Sequence, residues 1–125
     1  MGDFEAIGKQ FVQFYYSTFD TNRSALSSLY RDESMLTFET DKIAGVAAIV
    51  EKLTNLPFQK VEHKTDSVDA QPADAEGGIL VLVTGALLTE GQERPMSFVQ
   101  TFHLKQAGGS YFVFNDIFRL VYPAA

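Results

Sequence analysis

The amino-acid sequence predicts an α+β fold, with N-terminal helices packed into a strongly bent antiparallel sheet. Three observations carry this expectation. Apolar residues recur with a helical period in the first part of the chain, the period changes to two after Pro57, and the breaks between the later runs are short. At 125 residues the chain suits one domain spanning residues 1–125, long enough to bury about two-thirds of its unfolded surface without staples.

Phe4, Ile7, Phe11, Tyr15 and Phe19 fall at three- and four-residue steps and define one face of an amphipathic helix. Asp3 caps its start and Asp20-Thr21-Asn22 ends it; Asn22 or Ser24 then caps a short helix through Leu26 and Leu29. Met35-Leu36-Thr37-Phe38 reads as a short strand. Beyond Gly45, Ala48, Ile49, Lys52 and Leu53 mix a buried with a charged helical face, and Pro57 stops that helix. Four runs then read as strands: Gln59 to Asp69, Ile79 to Leu88, Met96 to Lys105 and Tyr111 to Tyr122. Their connections are short and turn-like, which makes successive strands antiparallel neighbours.

The strands are apolar on both faces. Ile79, Val81, Val83 and Leu87 oppose Leu80, Leu82, Ala86 and Leu88; Phe112, Phe114, Phe118, Leu120 and Tyr122 oppose Val113, Ile117 and Val121. A sheet with one wet face alternates cleanly. The second face therefore calls for a cover, and a homodimer is the simplest, with Val81, Val83 and Val113 expected in the contact.

Composition narrows the chemistry. There is no cysteine, so disulfides, thiolate nucleophiles and Cys-based zinc sites are excluded. His63 and His103 lack metal-ligand spacing. The N-terminal residues carry acids and no signal-type apolar core, and the Ile79–Val83 run is too short to span a bilayer, so a soluble intracellular protein without membrane partners is expected. The net charge of −6 is concentrated between Glu62 and Glu93, where seven acids face one base, Lys64. Such a field repels phosphate backbones, so nucleic acid is not an expected partner. No Gly-rich phosphate loop or nucleophile elbow is present.

The run from Gly45 to His63, GVAAIVEKLTNLPFQKVEH, closely resembles the nuclear transport factor 2 family. Phe14-Tyr15-Tyr16, Leu36-Thr37-Phe38-Glu39, Ala70-Gln71-Pro72 and Asn115-Asp116-Ile117-Phe118-Arg119-Leu120 follow the same family in order. The resemblance implies a cone-shaped, cystatin-like roll, a homodimer packed sheet to sheet, no catalysis and no cofactor. It also implies a carrier that binds GDP-bound Ran and FxFG-repeat nucleoporins. Such a carrier works between cytoplasm and nucleus and concentrates at the nuclear pore complex.

Site residues follow from the same resemblance. Phe38 rims a hydrophobic cavity for an aromatic side chain of the Ran switch II region, and Glu39 pairs with a basic residue of that segment. Leu56, Val61 and Phe118 are further cavity walls. Glu90 and Glu93 meet a lysine of Ran, although Gln92 competes with Glu93 for its place and Arg94 partly neutralises it. The family often has tryptophan where Phe38 stands, and aspartates where the two glutamates stand. Phe4 helps bind nucleoporin repeats, with Tyr122 the nearest stand-in for a second, C-terminal aromatic.

A different reading rests on Asp116, expected on the aromatic face between Phe114 and Phe118. A carboxylate there has to be paired, hydrated or protonated, with His63, Arg119 or backbone amides as candidate partners. A His63–Asp116 pair inside one cavity would match the Asp–His chemistry of ketosteroid isomerase and scytalone dehydratase, enzymes on the same cone-shaped fold. The alternative function is thus a small-molecule isomerase or dehydratase.

Overall fold

Helix α1 (Asp3–Thr21) buries Val12, Tyr15, Tyr16 and Phe19, with Phe4, Ile7 and Phe11 half-buried along the same side. These and all later coordinates come from a computed structural model that describes residues 3–57, 60–91 and 93–121. A 3₁₀ helix, Arg23–Leu29, inserts Leu26 and Leu29 into the core. The Asn22 side chain makes no capping bond to that helix; it accepts a hydrogen bond from Ser24 Oγ at 2.8 Å instead. Strand β1 (Tyr30–Phe38), strand β2 (Asp41–Ala44) and helix α2 (Val46–Thr54) follow, then β3 (Val61–Pro72), β4 (Ile79–Thr89), β5 (Met96–Ala107) and β6 (Ser110–Leu120). Gln59 and Tyr122, the expected outer limits of the first and last long strands, lie outside the described residues.

The six strands form one sheet in the order β2-β1-β6-β5-β4-β3. The expected α+β class and bent sheet hold, but the sheet is mixed. All neighbours are antiparallel except β1 and β6, which run parallel. No hairpin joins these two strands, so nothing local dictates their direction. Strand β2 was not expected because Asp41-Lys42-Ile43-Ala44 is short and mostly exposed, without an alternating pattern.

The two faces of β4 divide as the alternation predicts: Ile79, Val81, Val83 and Leu87 are buried, while Leu80, Leu82 and Leu88 are exposed. The last strand departs from it. The β5–β6 register shifts between His103 and Leu104, leaving Phe114 as an extra residue. That bulge turns Val113 to the inside, the side Asp116 and Phe118 already take, and leaves Phe114 with His103 and Lys105. Val81, Val83 and Val113 are all 0% exposed in a single chain, so they belong to its own core and not to a sheet-to-sheet contact.

A second irregularity sits in β3, whose register on β4 shifts between Thr65 and Ser67. Gly85 lies opposite, and a Cβ on it would stand 2.2 Å from the Lys64 carbonyl oxygen. Backbone cannot yield as a flexible side chain does. Gly85→Ala is expected to destabilise the fold by about 1–3 kcal/mol through overpacking; a urea melt with an unmoved midpoint would show that the bulge absorbs the methyl.

Candidate functional site

The concave side of the sheet, closed by α1 and α2, encloses a small cavity. The register places Phe38, Phe118 and Gln100 side by side on β1, β6 and β5, and Leu36 beside Asp116 one pleat deeper. Phe19, Leu53, Val61 and Leu87 complete the apolar wall; Tyr15, His63, Gln100 and Asp116 supply its polar part. The Phe38 and Phe118 rings stack at 4.8 Å and 9°, and Lys52 Nζ lies 5.7 Å from the centre of the half-buried Phe38 ring. Asp41 holds that ammonium at 2.7 Å.

Three of the four hydrophobic residues expected in the wall are thus brought together: Phe38, Val61 and Phe118. Leu56 is not among the lining residues. Helix α2 ends at Thr54, so Leu56 falls in the turn before Pro57, half-buried against the core, and Leu53 from the last helical turn takes the wall position.

Glu39 differs from a free surface acid. It follows β1 with a left-handed φ of 60°, and its Oε1 accepts the Leu120 backbone N–H. Its own N–H donates to the Phe118 carbonyl at 3.0 Å. The carboxylate therefore ties the end of β1 to β6 next to the aromatic pair. Glu90 is exposed just beyond β4, where its N–H donates to the Lys60 carbonyl at 3.2 Å and its Oε1 accepts the Lys60 N–H at 3.3 Å. Glu93 is exposed and Gln92 lies outside the described residues.

Asp116 is 1% exposed and carries the polar floor. Its Oδ1 accepts Gln100 Nε2–H at 2.7 Å, and its Oδ2 accepts the Tyr30 hydroxyl at 2.7 Å and the Tyr15 hydroxyl at 3.4 Å. The two tyrosine oxygens are 2.6 Å apart, and Tyr16 donates to Gln100 Oε1 at 2.6 Å. Burial pushes the Asp116 carboxyl up to about 6, against the pull of its three hydrogen-bond donors. Burial and the nearby carboxylate likewise hold the Tyr15 and Tyr30 hydroxyls well above the usual phenol range. Sequence patterning missed this network because Tyr15, Tyr16 and Tyr30 look like core aromatics; the unpaired Asp116 was its one visible sign.

The expected His63–Asp116 pair does not form, although both residues border the cavity. Two strands, β5 and β4, separate β6 from β3. His63 is taken by the last turn of α1: its Nδ1 lies 2.6 Å from Asp20 Oδ1, and its backbone N–H donates to Asp20 Oδ2 at 2.9 Å. Tyr16 stacks on the imidazole at 4.5 Å. The cavity measures about 20 Å³, room for about one water, whereas small-molecule sites span about 300–1,000 Å³. Among the described residues no cluster of three His, Asp or Glu side chains is arranged to hold a metal ion.

Phe4 occupies a separate place. It is half-buried and lines a groove of about 530 Å³ with Ile7, Ile79, Tyr111 and the 72–78 segment. Asp3 and Asp74 stand on its edge.

A sequence profile of the nuclear transport factor 2 (NTF2) domain matches residues 7–120. The chain is 62% identical to the nuclear transport factor 2 of Emericella nidulans over 125 residues, covering 99% of this chain and 100% of that one. Against the Saccharomyces cerevisiae protein of the same name it is 56% identical over 122 residues, 98% of each chain. The solved structure of nuclear transport factor 2 from Cryptosporidium parvum superposes with a TM-score of 0.91 at 45% identity, covering 96% of both chains. A hexachlorocyclohexane dehydrochlorinase shares the fold alone, with a TM-score of 0.79 at 14% identity over 94% of this chain and 85% of that one. The fold is thus also used by enzymes, but profile, identity and coverage agree: the chain belongs to the nuclear transport factor 2 family.

Proposed function

We propose that this chain is a non-enzymatic carrier of GDP-bound Ran, working as a homodimer that moves through nuclear pores by binding FxFG-repeat nucleoporins. The observation that carries the reading is the aromatic-gated cavity with Glu39 fixed beside it. An apolar socket supplies an anchor point and the adjacent carboxylate supplies orientation toward a basic residue. Glu90 adds negative charge from the end of β4, next to Thr89, which pairs with the cavity wall residue Val61. Glu93, exposed in the turn that follows, is the second acid proposed to meet Ran.

An inserted ring needs more space than the closed cavity has, since a benzene-sized guest occupies a void of about 150 Å³. The Phe38–Phe118 stack therefore opens on binding. This makes discrimination between nucleotide states a property of Ran: its switch segment has to present the aromatic and the basic residue together. Retention of Ran loaded with GDP, and not of Ran loaded with a GTP analogue, is the expected outcome on a column of the immobilised chain. Equal retention of both forms, or of neither, overturns the carrier reading.

The dimer reading rests on the outer face of the sheet. Cross-strand pairing sets Leu80, His103, Asn115 and Met35 in one row and Leu82, Thr101, Ile117 and Thr37 in the next. Met35, Leu80 and Leu82 are each 42% exposed and Ile117 is 51% exposed. A second copy covers this patch by isologous packing. Light scattering at micromolar concentration should report twice 13.9 kDa, and Ile117→Glu should return the mass to that of a single chain.

The Phe4 groove suits disordered repeats that exchange one aromatic at a time. Phe4→Ala is expected to weaken binding of an FxFG peptide while leaving affinity for GDP-bound Ran unchanged, because the groove and the cavity share no lining residue. Equal loss of both, with a lowered melting temperature, would identify Phe4 as packing alone. A carrier of this kind resides in cytoplasm and nucleus and concentrates at the pores.

A further inference from the structure

The 73–78 loop separates two surfaces. On one side Asp74, Gly77 and Gly78 line the groove beside Phe4. On the other, Asp74 Oδ2 faces His103 Nε2 on the outer face of β5 at 3.5 Å. Asp74 organises the loop itself, since its Oδ1 accepts the backbone N–H groups of Glu76 at 2.9 Å and Gly78 at 2.8 Å. Those bonds, Gly78 foremost, hold its carboxyl below the usual range, so it stays charged. His103 Nε2 is buried and makes no hydrogen bond among the described residues, with Asp74 Oδ2 standing 3.5 Å away. Buried nitrogens are seldom left in that state.

We propose that His103 and Asp74 form a proton-operated latch that sets the shape of the groove beside Phe4. The proposal rests on the reading of that groove as a repeat-binding site. Protonation places an N–H and a positive charge on Nε2, which then closes on Asp74 Oδ2 and draws the loop onto the sheet. The opposite end of the loop is already tethered, with the Tyr111 hydroxyl donating to the Gly77 carbonyl at 3.4 Å. A loop held at both ends is pre-organised, and binding then loses less conformational freedom.

The groups around His103 come from the loop and from β4, β5 and β6. From the loop, Asp74 and Glu76 border a shallow depression shared with Lys105 of β5. Lys105 opposes a second positive charge, but its Nζ is engaged 4.0 Å from the centre of the Phe114 ring. Strand β6 presents Phe114, whose ring meets the imidazole edge-on at 5.6 Å, and uncharged Asn115; β4 presents Leu80. Asp74 is the carboxylate that faces His103, and the second copy proposed above packs over the same row. Histidine is the side chain whose charge changes most readily between pH 5 and 8.

The test is the affinity of a synthetic peptide with two FxFG cores at pH 6 and pH 8, for the natural chain, His103→Gln and Asp74→Asn. The glutamine cannot gain a charge, and the asparagine keeps an oxygen for the two loop amides. The natural chain is expected to bind about fivefold more tightly at pH 6, the lower range of coupling between linked sites. In both variants the ratio between the two pH values should collapse toward one. His63 and Asp116 remain in both, so a ratio unchanged in His103→Gln assigns the effect to them and overturns the latch. A pH effect that follows a change from dimer to single chain by light scattering also overturns it.

Failure of the groove reading shows differently, as no peptide binding at either pH. The latch is then judged by amide exchange. Protection of the Glu76 and Gly78 N–H groups, corrected for intrinsic rates, should rise at pH 6 in the natural chain and not in His103→Gln; equal protection in both refutes it.

Discussion

Asp116→Asn is expected to make the protein more stable near neutral pH. The folded carboxyl titrates at about 6, against about 3.9 in an unfolded chain. With the folded value raised, the stabilising contribution of this group is complete below pH 4 and is lost as pH climbs through 6. The natural chain thus carries a buried charge at pH 7.5 at an expense of up to about 3 kcal/mol, from about two units at 1.36 kcal/mol each. An asparagine fits the same network: its oxygen accepts from Gln100, its amide donates to the Tyr30 oxygen, and the Tyr15 and Tyr30 hydroxyls rotate to suit. Urea melts should show the variant gaining over the natural chain between pH 4 and pH 7.5. A difference that stays flat across that range would mean that the carboxyl is not perturbed.

Glu39→Lys is expected to reduce affinity for GDP-bound Ran at least about thirtyfold. Loss of one partner of a desolvated charge pair costs about 2–5 kcal/mol, and each 1.4 kcal/mol is tenfold. The structure adds a second consequence. The carboxylate accepts the Leu120 N–H, so its removal also lowers fold stability by about 1–2 kcal/mol. Glu39→Gln separates the two effects, because its amide oxygen still serves Leu120 while the charge is gone. Calorimetry at two salt concentrations should show weakened, less salt-sensitive binding for Glu39→Gln with a nearly unchanged melting temperature. Full affinity in a folded Glu39→Gln protein would confine Glu39 to its structural bond.

The helix periods and the strand alternation made most of the fold legible. Phe4 to Phe19 marked α1, and Ile79 to Leu88 separated into two faces, although Val81 and Val83, expected in a dimer contact, lie on the inner one. Local pattern was silent on what is set by distant pairing. The parallel partnership of β1 with β6 joins residues some eighty positions apart, such as Leu36 and Asp116. The bulge at Phe114 adds one residue, which is why Val113 was expected outside and is inside. At the site, Phe38, Val61 and Phe118 were legible as a set through the family resemblance. The partners of the polar groups were not. Asp20 takes His63, while Tyr15, Tyr30 and Gln100 take Asp116, through contacts that no spacing in the chain announces.

The central claim is that the space behind Phe38 and Phe118 opens to receive an aromatic side chain of GDP-bound Ran. Its most direct test is calorimetric titration with GDP-bound Ran whose switch II aromatic has been replaced by alanine, beside unmodified Ran. Truncation of an aromatic anchor seated in a pocket costs about 2–4 kcal/mol, so affinity should fall about thirtyfold or more. Equal affinity for both forms of Ran would contradict the account.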